Sequence, residues 1–186
     1  MSTLIAPTAT LVVPLEDLKT QLRYSPADTS QDKILTNKIK AATLWIERYC
    51  GISMINKGYR SSFSKWYGSL PISVYPYQSG IKVIYDTDDQ DNKELVAEDY
   101  EVYETLEIHQ VHIKTMPQLK STALYPVRLE YVAGYGVEAD DVPADLVEAV
   151  LILASTMDMV RIDTRMALGM VGHIIHTYKT EYARTL

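Results

Sequence analysis

The sequence predicts an α+β fold: a helical core of three main helices carrying an inserted antiparallel β-rich block. Three observations point there. Apolar residues recur at helical spacing near both ends of the chain, as in Leu35, Ile39, Ala42, Ile46 and again in Leu146, Val150, Leu153, Met157. Between them, from about residue 57 to 132, the period switches to alternation, punctuated by Gly, Pro and Asp. The two regimes meet in Val127–Val160, where a strand runs through Gly134-Tyr135-Gly136 into a proline-initiated helix.

Taken in order, Met1 to Val13 is small, β-branched and aperiodic, which reads as an extended arm, flexible or ordered by a neighbour. Pro14 starts a short helix with Leu15, Leu18 and Leu22 on one face and Glu16 and Asp17 in its first turn. Thr29 to Asp32 offers a capping-box-like start for a second helix over Ile34 to Cys50. Its buried stripe is Leu35, Ile39, Ala42, Ile46 and Tyr49, with Lys33, Lys38, Lys40, Glu47 and Arg48 facing outward and Gly51 as C-terminal cap. Lys57–Tyr67, Ile72–Tyr77, Ile81–Asp86, Tyr100–Tyr103 and His109–Lys114 read as short strands, with Ile81, Val83 and Tyr85 on one face. Val127, Leu129 and Tyr131 then alternate with Arg128, Glu130 and Val132 in a further strand. The helix after Pro143 is apolar round most of its girth, which predicts burial. Gly169 and Gly172 loosen the stretch beyond it, and Ile174, Ile175, Tyr178 and Tyr182 form a weakly amphipathic tail.

The organisation expected is an arm over 1–13, a single domain over 14–165 containing the β-rich insertion at about 57–132, and a docking tail over 166–186. At 186 residues one domain has room for a core and two would be cramped. A net charge of −6 and a pI of about 5.2 argue against a general attraction for nucleic acid. One cysteine, Cys50, excludes an intramolecular disulfide and fits a reducing cytosol as the place of synthesis. No apolar run reaches the ~20 residues of a membrane span. Fourteen tyrosines against one Phe and two Trp hint at assembly, because Tyr joins an apolar body to a polar tip.

Residues able to carry chemistry give little. Asp86, Asp88, Asp89 and Asp91 have the look of a calcium loop, but position six is Asp91 instead of Gly and position twelve is Ala97 instead of Glu. A solvated hairpin tip is the expectation. His109 and His112 fall on opposite faces of a strand, and His173 and His176 have no Cys or carboxylate at ligand spacing. Cys50 ends a buried-looking helix without an activating His. Gly134-Tyr135-Gly136 lacks the third glycine and the parallel βαβ setting of a phosphate loop. No catalytic residue, metal or cofactor is expected.

A set of segments in fixed order resembles the head–tail connector (adaptor or head-completion) proteins of tailed bacteriophages. They are Leu15-Glu16-Asp17-Leu18-Lys19 with Leu22-Arg23, Trp45-Ile46-Glu47-Arg48-Tyr49-Cys50-Gly51, Val83-Ile84-Tyr85 with Asp99-Tyr100-Glu101-Val102, Tyr131-Val132-Ala133-Gly134-Tyr135-Gly136 and Val142-Pro143-Ala144-Asp145-Leu146. Each is common alone; their order and spacing from Pro14 onward are specific. Leu124-Tyr125-Pro126 departs from the tryptophan often found before that proline, and the arm before Pro14 is longer than usual. The resemblance implies a non-enzymatic virion protein of the neck, made in the host cytoplasm. It implies a ring of about twelve copies under the portal protein, a platform for a downstream neck or tail protein, and DNA passing through without specific binding. On that reading Asp86, Asp88, Asp89 and Asp91 are candidates for a lumen or loop tip, and Ile174, Ile175, Tyr178 and Tyr182 for contact with a neighbour or the portal. The other readings are a small soluble enzyme or metal-binding module, and a completion protein that binds the ring without forming it.

Overall fold

The computed structural model describes residues 2–104, 109–157 and 164–179, with only the backbone of 104, 164–168 and 170. It has eight strands and four helices in the order β1(Ser2–Ala6), α1(Leu15–Gln21), α2(Asp32–Cys50), β2(Lys57–Phe63), β3(Ser69–Pro71), β4(Tyr77–Tyr85), β5(Lys93–Glu94), β6(Tyr100–Glu104), β7(His109–Ile113), β8(Val127–Ala133), α3(Ala144–Thr156) and α4(Thr164–Thr177). These form two compact units, one of Met1–Pro7 with Asn56–Gly134 and one of Thr8–Ile55 with Tyr135–Leu186.

The first unit is all β. A five-stranded sheet has the order β1-β2-β8-β4-β5, and a three-stranded sheet the order β3-β7-β6. Every pairing is antiparallel. The centre of the larger sheet is β8, whose inward residues Val127, Leu129, Tyr131 and Ala133 are all buried, as the alternation requires. They share a core with Leu70, Ile72, Val83, Leu95, Val111 and Ile113. On the opposite face, Arg60 lies across from Glu130 in register and its Nε donates to Glu130 Oε1 at 2.7 Å.

The expected strand Ile72–Tyr77 is not one. The amides of Ser73 and Val74 donate to the Tyr131 hydroxyl, both at 3.2 Å, so those donors serve a side chain and no ladder. The strand lies just before it, at Ser69–Pro71, and β4 absorbs Tyr77 and runs on through the Ile81–Tyr85 stretch. The first strand predicted, Lys57–Tyr67, stops at Phe63. The arm is extended as expected, and its own sheet orders it: Ser2 faces Ser61 and Ala6 faces Gly58 along the edge of β2.

The second unit is helical, with α2 against α3, α3 against α4 and α1 against both α2 and α3. Leu18, Leu35, Ile39, Ile46, Leu146, Leu153 and Val171 are buried in it. Pro14 and Pro143 occupy the N-cap positions of α1 and α3. Gln31 caps α2 without a side-chain bond, so the capping box expected at Thr29–Asp32 does not form; Asp28 instead accepts the Ser30 amide at 2.9 Å. A true capping box stands before α3, where Glu138 and Asp141 exchange side-chain bonds with each other's backbone. Gly51 ends α2 in the left-handed conformation at φ 72°, as predicted.

Three facing assignments on the helices change. Tyr49 is exposed and Cys50, fully buried, continues the inner stripe in its place. Glu47 turns inward, 6 % exposed, because its Oε1 accepts the Met54 amide at 2.8 Å as the chain leaves the helix. Met157 at the end of α3 is exposed. The tail is also more regular than its glycines suggest. Thr164–Thr177 is helical, giving a fourth helix, with Val171 and Ile175 buried one turn apart.

Candidate functional site

Three surfaces bring together residues that could act. The first is the loop after β4. Asp86 is not part of an open acidic tip: the residue is 8 % exposed and its carboxylate meets the Arg128 guanidinium in a two-pronged pair, Nη1 to Oδ2 at 2.7 Å and Nη2 to Oδ1 at 2.5 Å. It also accepts the Asn92 amide at 2.7 Å. These bonds to the charged form hold the Asp86 carboxyl down at about 2. The rest of the loop is tied to the segment opposite, with Lys120 Nζ to Asp91 Oδ1 at 2.8 Å and the Ser121 amide to Asp88 Oδ1 at 3.2 Å. Asp88, Asp89 and Asp91 are exposed. The loop is thus an ordered acidic projection whose base is fixed by Asp86, with the exposed carboxylates of Asp88 and Asp91 tied to Ser121 and Lys120 and that of Asp89 facing solvent.

The second surface is the outer side of α2. Ala41, Leu44, Trp45, Arg48 and Tyr49 line a shallow groove of about 450 Å³. Its floor is aromatic: the Trp45 and Tyr49 rings stack with centroids 5.2 Å apart and planes 11° from parallel. Lys179 stands over the Tyr49 ring, its Nζ 4.9 Å from the centroid. Sequence reasoning missed this groove by assigning Tyr49 to the core; the signal available was the spacing Ala41, Leu44, Trp45, Arg48, which marks a second stripe at three- and four-residue steps.

The third is α4, where the four predicted docking residues part company. Ile175 is buried in the helical unit, and its carbonyl accepts the Cys50 thiol at 3.2 Å. The Tyr178 hydroxyl donates to the Asp145 carboxylate at 2.7 Å. Desolvation, and then that bond, push the Tyr178 phenol up. Ile174 is half-buried, between His173 and the inward Ile175. Tyr182 lies outside the described residues.

Cys50, His109 and His112 are each held in packing contacts. Burial pushes the Cys50 thiol up to about 11, away from the thiolate a nucleophile needs. The His109 ring meets Tyr75 edge-on at 4.7 Å and the His112 ring meets Tyr103 at 6.1 Å. Among the described residues no three His, Cys, Asp or Glu side chains converge to hold a metal ion. Nor, among them, is any helix long and apolar enough to cross a membrane. What the surfaces offer is recognition: a charged projection, an aromatic groove and a half-covered terminal helix.

Solved structures of similar architecture include chains of the gene transfer agent particle. A chain of the virion of the native gene transfer agent (GTA) particle superposes with a TM-score of 0.79 at 18 % identity, covering 97 % of this chain and 95 % of that one. A chain of the neck of the empty GTA particle, computed with C6 symmetry, gives 0.80 at 17 %, again over 97 % and 95 %. One from the neck of the native particle, computed with C12 symmetry, gives 0.71 at 19 % over 96 % and 95 %. No curated protein sequence matches significantly. At these identities the superpositions establish a shared fold, while the sequence itself carries the family signal. The profile of the phage gp6-like head-tail connector proteins matches residues 13–110, from the start of α1 to β7. That span is more than half of the chain, and this protein therefore belongs to the phage gp6-like head-tail connector family.

Proposed function

We propose that this connector works as a structural subunit of a virion neck, closing with copies of itself into a ring between the portal protein and the next neck or tail protein. The observation that carries the reading is the family match over residues 13–110, from α1 into β7. Relatives in fold that sit in necks computed with C6 and C12 symmetry support a ring, with twelve copies as the expected number. Heterologous contacts between identical chains close into rings when the rotation permits. The acidic balance of −6 suits a subunit that surrounds DNA without gripping it, since tight binding requires cations that displace the counterions of the phosphates. Exposed Asp88, Asp89 and Asp91 are the group we place toward that passage. Nothing in the proposed mechanism is catalytic: the subunit acts by shape, contact and charge.

On α4 the residue we assign to contact with a neighbour or the portal is Ile174, because Ile175 and Tyr178 are engaged within the subunit. Ile174→Glu is expected to leave the subunit folded by circular dichroism and to abolish its incorporation into necks. Normal incorporation of the variant would reject the assignment. The ring itself is tested by mass photometry of the purified chain with and without portal protein. A closed assembly of about twelve copies that retains no DNA at physiological salt is expected. A chain that stays monomeric with portal present would overturn the proposal.

A further inference from the structure

We infer that the outer side of α2 in one copy receives the acidic turn before α3 of a second copy, a head-to-tail contact that deepens the ring reading above and rests on it. The outer side of α2 is basic as well as aromatic. Lys33, Lys40 and Arg48 are exposed on it, and none of them makes an ion pair among the described residues. The two carboxylates of the helix are engaged elsewhere: Asp32 pairs with Lys19, and Glu47 is turned inward to the Met54 amide. Between the cations stand apolar groups in solvent, Ile34 at 49 % and Leu44 at 45 % exposure. In a chain of net charge −6, a helix face with positive charge alone stands apart from the rest of the surface.

The same helical unit carries the opposite kind of surface. Between Arg128 and Arg161 the sequence has no Lys or Arg. Glu138, Asp140, Asp141, Asp145 and Glu148 are all exposed there, and Val137 stands beside them 61 % exposed. The turn that carries Val137 is firmly held. Glu138 and Asp141 cap each other's backbone, the Tyr135 amide donates to the Met54 carbonyl at 3.1 Å, and Gly136 packs so closely on the Asp141 carboxylate that no Cβ would fit. A fixed apolar tip among carboxylates matches an apolar groove among cations, and little ordering is needed to seat it. The charges also choose between pairings. Neither face can lie on its own copy across a two-fold axis, because cations would meet cations or carboxylates meet carboxylates. The contact therefore joins unlike faces, and repeated from copy to copy it closes a ring.

The test mixes full chains carrying Leu44→Cys with full chains carrying Val137→Cys beside portal protein, adds a short bismaleimide, and reads the linked peptides by mass spectrometry. Cys50 is buried and stays out of the reaction. A link from position 44 of one chain to position 137 of another, in the mixture and in neither variant alone, is the expected result. Links between like positions in a single variant would overturn the contact, and so would a link from position 44 to the portal, which gives the groove to that partner. A ring that forms with no link overturns the contact and leaves the ring standing; a chain that stays monomeric overturns both. Charge supplies a second readout without cysteines. Arg48→Glu and Asp140→Lys should each raise the concentration needed for half-assembly about tenfold at low salt, whereas Glu98→Lys, exposed on the β unit, should change it by less than about twofold. Assembly unchanged by the first two variants would contradict the docking.

Discussion

Asp86 shows how a single side chain's role depends on a partner far along the chain. In sequence it heads an acidic cluster; in the fold it is the buried anchor of that cluster, because β8 pairs with β4 and delivers Arg128 beside it. Asp86→Ala leaves a guanidinium only 16 % exposed with Asn92 as its remaining partner, and should cost about 2–3 kcal/mol in urea unfolding at pH 7. The pH dependence follows from the depressed carboxyl. Its folded value of about 2 lies below the ordinary 3.8, so the stabilisation is complete well above pH 3.8 and disappears as pH falls through 2. Asp86→Asn should therefore lack about 2 kcal/mol of the stability that the parent protein loses between roughly pH 5 and pH 2, and identical acid limbs would contradict the pairing. Gly134 is a second residue whose role depends on a distant partner. Its φ is 148° and an added Cβ would sit 2.5 Å from the Asn56 amide nitrogen. Gly134→Ala should destabilise by about 2–3 kcal/mol by denaturant melt. Glu47 and Tyr49 were read the wrong way round because hydrophobicity alone cannot foresee that a carboxylate will be drawn inward by a free amide at the helix exit.

Among the secondary-structure elements, legibility tracked the strength of the period. The alternation in β8 and the apolar helix α3 were plain, although α3 buries one face, with Leu146, Val150 and Leu153, and leaves Val147, Leu151 and Ile152 half-buried. Ile72–Tyr77 looked like a strand for the same apolar content, yet its amides are claimed by the Tyr131 hydroxyl. The terminal helix was hidden by its glycines. Each costs about 1 kcal/mol relative to Ala inside a helix, whereas burying Val171 and Ile175 returns roughly 1.5–3 kcal/mol apiece, so packing wins. A Cβ at Gly169 or Gly172 would meet nothing within 4 Å. Gly169→Ala and Gly172→Ala should accordingly each raise stability by about 0.5–1 kcal/mol, measured as a higher urea midpoint. A loss would show that these positions face something closer than the subunit itself provides. Edge strand β1 was read correctly as extended, but pairing with β2 is a long-range event that no local pattern announces.

For the chain as a whole, two discontinuous units explain why the family signal could be read while the surfaces could not. The β unit enters between α2 and α3 in sequence, so the short motifs at helix ends and strand ends stand in a fixed order along the chain. The surfaces described above follow no such order. The surface features are built from residues brought together by folding, such as the loop after β4 with Lys120 and Arg128. The net charge of −6 argues against a general attraction for nucleic acid, and the fourteen tyrosines suit contact surfaces. The most direct trial is to mix the purified chain with its portal protein and image the complex by electron microscopy. A closed ring of this subunit seated on the portal, continuing its channel, is the predicted result, and a portal left bare with the chain in solution as separate monomers would contradict it.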